Sequence, residues 1–189
     1  MNPRRETDER LMQQTARGER AALTVLLRRH ANCVLTFLRR MTGDLHRSEE
    51  LFQDVFLAVW TGRRRYSYPR PFRSWLFGIA ANKCRANFRK RSEPALPIGD
   101  AAVPVGVRPG PSPPEQAVAT ETAVMVEQAV MRLPAAQRSV VVMRIWNDLS
   151  YDEIAEVLNL AAATVRSHMS LGLSSLRKLL EPRMRESSL

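Results

Sequence analysis

Residues 149–180, LSYDEIAEVLNLAAATVRSHMSLGLSSLRKLL, constrain the fold more than any other stretch, because they spell out two helices and the turn between them. Ser150 with Glu153 three residues later is a capping box: the hydroxyl accepts the Glu153 N–H and the carboxylate reaches back to the Ser150 N–H. Ile154, Ala155 and Leu158 then share one face, and Asn159, tolerant of left-handed backbone, marks the end. Val165, Met169, Leu173, Leu176 and Leu180 recur at three-to-four-residue spacing. They predict a second helix that docks one stripe and turns Ala162, Ala163, Arg166, Ser167 and Ser170 outward. The pattern is that of a helix-turn-helix, whose second helix fits a DNA major groove; it also suits an αα-hairpin inside an all-helical core.

Charge supports a nucleic-acid partner but is distributed unevenly. The chain has 189 residues and a formal net charge of +10. Residues 1–93 hold 20 Lys and Arg against 9 Asp and Glu, whereas residues 120–189 hold 8 against 8. The helix-turn-helix half is therefore neutral, and attraction to polyphosphate must come mainly from the N-terminal half. DNA is then expected to be held at two places. Absence of an N-terminal apolar segment and of a long apolar run argues for a cytoplasmic protein with no membrane insertion. Cys33 and Cys84 lie far apart with no partner at ligand spacing, and read as small hydrophobes in a reducing compartment. No catalytic cluster, metal site or cofactor motif stands out.

Residues before about 17 are polar and read as a frayed first helix. Between residues 21 and 41, Leu23, Leu26, Leu27, Val34, Leu35 and Leu38 keep a helical period, broken by Thr42-Gly43-Asp44. Ser48 can cap the next helix, with Glu49 and Glu50 in its first turn and Leu51, Phe52, Val55, Phe56 and Val59 on its apolar side. Then comes RRRYSYPRP (63–71), where two prolines forbid regular helix and basic residues sit beside aromatics. A helix restarts near Pro71 with Phe72, Trp75, Leu76, Ile79 and Ala80 as its core stripe. Cations that follow phosphates and rings that stack on unpaired bases suit single strands, which singles out Tyr66, Tyr68, Asn82, Lys83 and Arg85. Residues 94–119 contain seven prolines and three glycines and read as a semi-extended tether. Two further helices, residues 123–133 and 135–146, complete a four-helix C-terminal domain.

This order of parts resembles the extracytoplasmic-function group of bacterial sigma-70-family sigma factors, over residues 11–180. Residues 50–60 (ELFQDVFLAVW) look like the family's core-polymerase-binding helix and residues 70–82 (RPFRSWLFGIAAN) like its promoter-melting helix. Residues 133–138 (LPAAQR) and 149–155 (LSYDEIA) resemble the LP-x-x-QR and LS-x-x-EIA signatures. The resemblance implies an all-α fold with two small helical domains joined by a Pro-rich linker. Residues 1–93 would be a region 2 bundle, 94–119 the linker, 120–182 a region 4 helix-turn-helix domain and 183–189 a tail. It implies that Glu50, Gln53, Asp54 and Leu57 meet the clamp helices of the largest subunit of core RNA polymerase, and that the second domain meets the flap region. Tyr66, Tyr68, Arg70, Asn82, Lys83 and Arg85 would recognise and open the minus-ten element, holding a flipped base at a cost of a few kcal/mol. Ala162, Ala163, Thr164, Arg166, Ser167 and Ser170 would face the minus-35 element, with Arg166 and Ser167 at bases and Thr164 at a phosphate. The chain itself would do no chemistry.

Two departures from the family pattern matter. Ala161 stands where Ser or Thr usually caps the recognition helix, forgoing about 1 kcal/mol. His168, Ser170, Leu171 and Leu173 stand where basic residues are common, which leaves Arg166 as the one strong donor before Arg177. The expectation is that minus-ten engagement and core tethering dominate and that free protein binds duplex poorly. Leu171 would alternatively pack on a partner such as an anti-sigma factor. A stand-alone helix-turn-helix regulator would use the same C-terminal residues without the aromatic-basic loop, and a nucleic-acid-processing enzyme would need a carboxylate or metal cluster.

Overall fold

The computed structural model describes residues 6–92 and 114–186, which form eight α-helices and no strand. The tether expected at 94–119 falls on undescribed residues up to 113, and residues 114–119 are helical. No helix among the described residues is long and apolar enough to cross a membrane.

The first described helix is capped rather than frayed. In α1 (Asp8–Ala16), Thr7 Oγ1 accepts from Arg10 N at 3.3 Å, and Leu11, Met12 and Thr15 are buried. Its first-turn acids tie it to later elements. Asp8 binds Arg29 at 2.7 Å and His30 Nε2 at 2.6 Å, both on α2 (Arg20–Thr42), while Glu9 Oε1 accepts the Phe72 N–H at 3.2 Å. Polar composition suggested fraying because these partners lie 20 to 60 residues away.

Gly43, at φ 69°, closes α2 in the left-handed region, where glycine carries no Cβ penalty. The next helix, α3 (Leu45–Gly62), starts three residues before the expected cap: Asp44 accepts from Arg47 N at 3.0 Å. Ser48 is buried one turn in, its hydroxyl donating to the Asp44 carbonyl and meeting Thr42 Oγ1 at 2.9 Å. A 3₁₀ turn (Arg63–Arg65) and the prolyl loop lead into α4 (Phe72–Ser92). Phe72, Leu76, Phe77, Ala80 and Cys84 lock α4 into the first bundle, with Phe77 edge-on to Phe37 at 5.6 Å.

The second bundle is α5 (Pro114–Met131), α6 (Ala135–Ile145), α7 (Tyr151–Leu158) and α8 (Ala162–Glu186). Its capping box is formed, with Ser150 N to Glu153 Oε2 at 2.7 Å, and Asn159 ends α7 at φ 54°. The docking stripe of α8 is Val165, Met169, Gly172 and Leu176; Leu173, expected in it, is exposed. The reason is a close helix crossing. A Cβ on Gly172 would lie 2.7 Å from Val141 Cγ2, so the bare glycine brings α8 onto α6 and rotates Leu173 away.

The two bundles pack against each other, α4 on α7 and α2 on α6. Asn147, buried between them, donates from Nδ2 to the Cys33 carbonyl at 3.0 Å, and its own carbonyl accepts from Arg73. Arg138 donates to the Met41 carbonyl at 2.8 Å, and the Arg40 guanidinium lies 4.5 Å from the Trp146 ring centre.

Burial pulls the His30 pKa down, but the hydrogen bond and charge of Asp8 outweigh it and hold the imidazole at about 9; Asp8 is lowered in turn, burial being overridden by His30 and Arg29. A raised histidine stabilises fully below its unfolded pKa of about 6.5 and loses that contribution as pH rises through 9. Melting temperature should therefore fall between pH 6.5 and 9, and Asp8→Asn should flatten that slope and lower stability at neutral pH by roughly 1–3 kcal/mol. In the second bundle, Gly172→Ala gains at most about 1 kcal/mol of helix propensity but overpacks the stiff Val141 methyl at about 1–3 kcal/mol. The variant should melt lower than wild type, with Val141→Ala restoring part of the loss.

Candidate nucleic-acid interface

The residues singled out in the sequence fall on three surface patches. On α3, Glu50, Gln53, Asp54 and Leu57 are all exposed. Leu57 is 60% exposed, a large apolar side chain that the bundle does not use. Glu50 pairs with Arg47 at 2.6 Å and His46 at 3.5 Å, and Asp54 with Lys83 at 3.4 Å. Pairs this open contribute at most about 1 kcal/mol and are readily exchanged for a partner's groups.

The second patch joins the prolyl loop to α4. Tyr66 is turned inward: its ring packs 5.4 Å from Trp75 and 6.3 Å from Phe72, its hydroxyl donates to the Arg70 carbonyl, and burial pushes its pKa up to about 12. Its structural work is therefore to hold the loop's shape, which places Arg70 and leaves Tyr68, half exposed, as the outward ring. Alternation of aromatics and cations cannot tell the two tyrosines apart. Arg70, Asn82 and Arg85 converge on a cleft of about 410 Å³ whose wall includes Trp75 and the buried Ser74. Ser74 Oγ has no hydrogen-bond partner among the described residues. Lys83 sits on the opposite flank with Asp54, so it is not brought into the cleft. Cys84 faces the core, and burial pushes its thiol up to about 12.

On the third patch, Ala163, Thr164, Arg166, Ser167 and Ser170 are exposed along the first turns of α8 and Ala162 is half-buried. The Arg166 guanidinium lies 5.7 Å from the Tyr151 ring centre, which steadies the one strong donor of this surface. Leu171 and Leu173 stand in solvent beside it. Sequence reasoning missed Ser74 as a cleft residue, and it missed Glu156 and Asn159, which reach the same cleft from α7. Their signal lies in the packing between bundles and not in any local pattern. Among the described residues no group of three or more His, Cys, Asp or Glu is placed to hold a metal ion.

A helical bundle with an amide-and-arginine cleft, packed on a helix-turn-helix bundle, defines a two-module DNA-binding class. Comparison with known proteins narrows it. Residues 26–93 match the Sigma-70 region 2 family model and residues 123–176 the Sigma-70, region 4 model. The RNA polymerase sigma factor CnrH of Cupriavidus metallidurans is 30% identical over 187 residues, covering 96% of this chain and 97% of that protein. The ECF RNA polymerase sigma factor SigW of Bacillus subtilis is 26% identical over 176 residues, covering 89% and 94%. A solved structure of CnrH in complex with the cytosolic domain of CnrY superposes with a TM-score of 0.72 at 26% identity, covering 94% of this chain and 99% of that one. The chain belongs to the extracytoplasmic-function group of the sigma-70 family, whose members are transcription initiation factors rather than enzymes.

Proposed function

We propose that this chain binds core RNA polymerase through the exposed face of α3 and directs initiation by capturing and opening the minus-ten element in the cleft of Arg70, Asn82 and Arg85. The observation that carries the reading is the isolated exposure of Leu57 among Glu50, Gln53 and Asp54: an apolar anchor ringed by polar groups is the anatomy of a protein interface, and the bundle gains nothing from it. Tyr68 supplies an exposed stacking face on the loop that carries Arg70, and Ser74, Asn82 and the two arginines supply donors for a base edge and its flanking phosphates. Lys83, on the flank, contributes to the field along the strand rather than to the cleft itself.

The helix-turn-helix assists by aiming the complex. Arg166 and Ser167 reach base edges of the minus-35 element, Thr164 a phosphate, and Ala162, Ala163 and Ser170 give close approach. With 8 cations against 8 anions in residues 120–189, this module adds little polyelectrolyte affinity of its own. The protein thus acts in the cytoplasm, where its polymerase works. An anti-sigma factor is a further partner: a solved relative is a complex of CnrH with CnrY, and an apolar cleft of about 310 Å³ here, lined by Phe37, Met41, Phe88, Leu158 and Leu160, offers an anchor point near both bundles.

Transcription in vitro with purified core tests the reading. Leu57→Asp should lose at least tenfold in core affinity, in line with about 1.4 kcal/mol or more for a buried anchor, with its melting temperature unchanged. Arg70→Ala should bind core normally yet initiate poorly on linear duplex and recover on a template pre-opened at the minus-ten position. Equal core affinity of Leu57→Asp and wild type would remove the proposed interface.

A further inference from the structure

Between residues 162 and 180, α8 carries no carboxylate, so nothing on this stretch repels a phosphate backbone. Thr164, Ser167, Leu171, Ser174 and Lys178 alternate at three- and four-residue spacing, which lines them up along one side of the helix, and all five are exposed. Leu171 is the one large apolar side chain of this ridge and is 52% exposed, although the fold does not use it: the docking side is Val165, Met169, Gly172 and Leu176. Leu173, the other exposed leucine, lies about 160° round the axis, on the ridge of Arg166. The two therefore make no continuous apolar patch of the kind a protein partner buries, and Leu171 has a serine hydroxyl one turn away on either side. From Thr164 to Leu171 the helix rises about 10 Å, or about three base pairs. A helix seated with Thr164 at a phosphate and Ser167 at a base edge thus carries Leu171 along the floor of the major groove. That floor offers hydrogen-bond donors, acceptors and one apolar group, the C5 methyl of thymine.

We infer that Leu171 is a specificity-determining residue of the upstream contact, reading one T·A pair by covering the thymine methyl. The inference rests on α8 facing the minus-35 element, as proposed above. Selection works in both directions. A thymine at this place loses apolar surface to solvent no longer, whereas any other base brings a polar edge against a side chain that can neither donate nor accept, and that edge gives up its water without a partner. Arg166, on the neighbouring ridge, has the opposite preference, since a guanidinium pairs best with the two acceptors of guanine. A module with 8 cations against 8 anions in residues 120–189 thereby contributes choice of sequence rather than adhesion.

Holoenzyme assembled from purified core and the full chain is used to select sites from linear duplexes with a randomised central block, with wild type, Leu171→Ala and Arg166→Ala in parallel. Wild type should enrich a T·A pair in the upstream element. Leu171→Ala, whose melting temperature should match wild type because the side chain is exposed, should lose the preference at that pair alone, and Arg166→Ala should lose a different one. On the duplex selected by wild type, deoxyuridine then replaces that thymine, which removes the methyl and nothing else. Wild-type holoenzyme should bind the substituted duplex about 3- to 5-fold more weakly, as expected for one methyl group returned to water, and Leu171→Ala holoenzyme should bind both duplexes alike. If wild type binds the two duplexes equally, Leu171 does not read the methyl and the inference falls. If Arg166→Ala changes the selected motif and Leu171→Ala does not, Leu171 faces a protein partner or solvent, and the inference falls while the minus-35 reading of α8 stands. If neither variant changes the motif, that reading is overturned as well.

Discussion

The rotation of α4 about its own axis governs most of what this molecule can do. Phe72, Leu76, Phe77, Ala80, Ala81 and Cys84 are each no more than 3% exposed. Each large apolar side chain so buried is worth about 1.5–3 kcal/mol, which outweighs any single surface charge on the same helix. With that stripe seated, Asn82 and Arg85 must point away from the bundle, and the loop before the helix must deliver Arg70 to the same side. Tyr66 enforces the delivery by packing inward and holding the Arg70 carbonyl. Glu9 adds an anchor from the chain start by accepting the Phe72 N–H. A cleft with polar walls thus sits on an apolar base that leaves it little freedom.

Electrostatics then divides labour between the modules. The first carries a large cationic excess and the second none, so attraction to a DNA backbone is concentrated on the first bundle. The surface ion pairs on α3, Arg47 with Glu50 and Lys83 with Asp54, are weak enough to be traded for contacts with a partner. By contrast Asp8 with His30 is half-buried and backed by Arg29, and belongs to the frame rather than to the interface.

Much of the fold was legible in the chain because helices announce themselves locally. The Ser150–Glu153 capping box, the Asn159 stop and the burial of Phe72, Leu76 and Ala80 each depend on residues within a turn or two and are present as read, whereas Trp75 and Ile79 of the same expected stripe are half-buried and line the cleft. Four features escaped for the same reason in reverse. The capped α1 is held by Arg29, His30 and Phe72, all remote in sequence. Leu173 is displaced from the α8 stripe by a crossing at Gly172 that only the position of Val141 explains. Tyr66 and Tyr68 are equivalent as letters and opposite as side chains, because only Tyr66 finds Trp75 and Phe72 behind it. The packing of α7 on α4, which brings Glu156 to Arg70, has no local signature at all. Start positions were also blurred where two caps compete: Asp44 precedes Ser48 and takes the role, since either side chain is a good acceptor for the first free N–H groups.

The central claim is that a cationic front module opens DNA only as part of a polymerase. Permanganate reactivity of thymines across the minus-ten region of an intact linear promoter tests it most directly, with core alone, chain alone and both together. The account predicts reactive, unpaired thymines only when both are present, and their disappearance in Arg70→Ala with core still bound. Thymines that react with the chain alone, or that stay protected in a complex containing both, would contradict it.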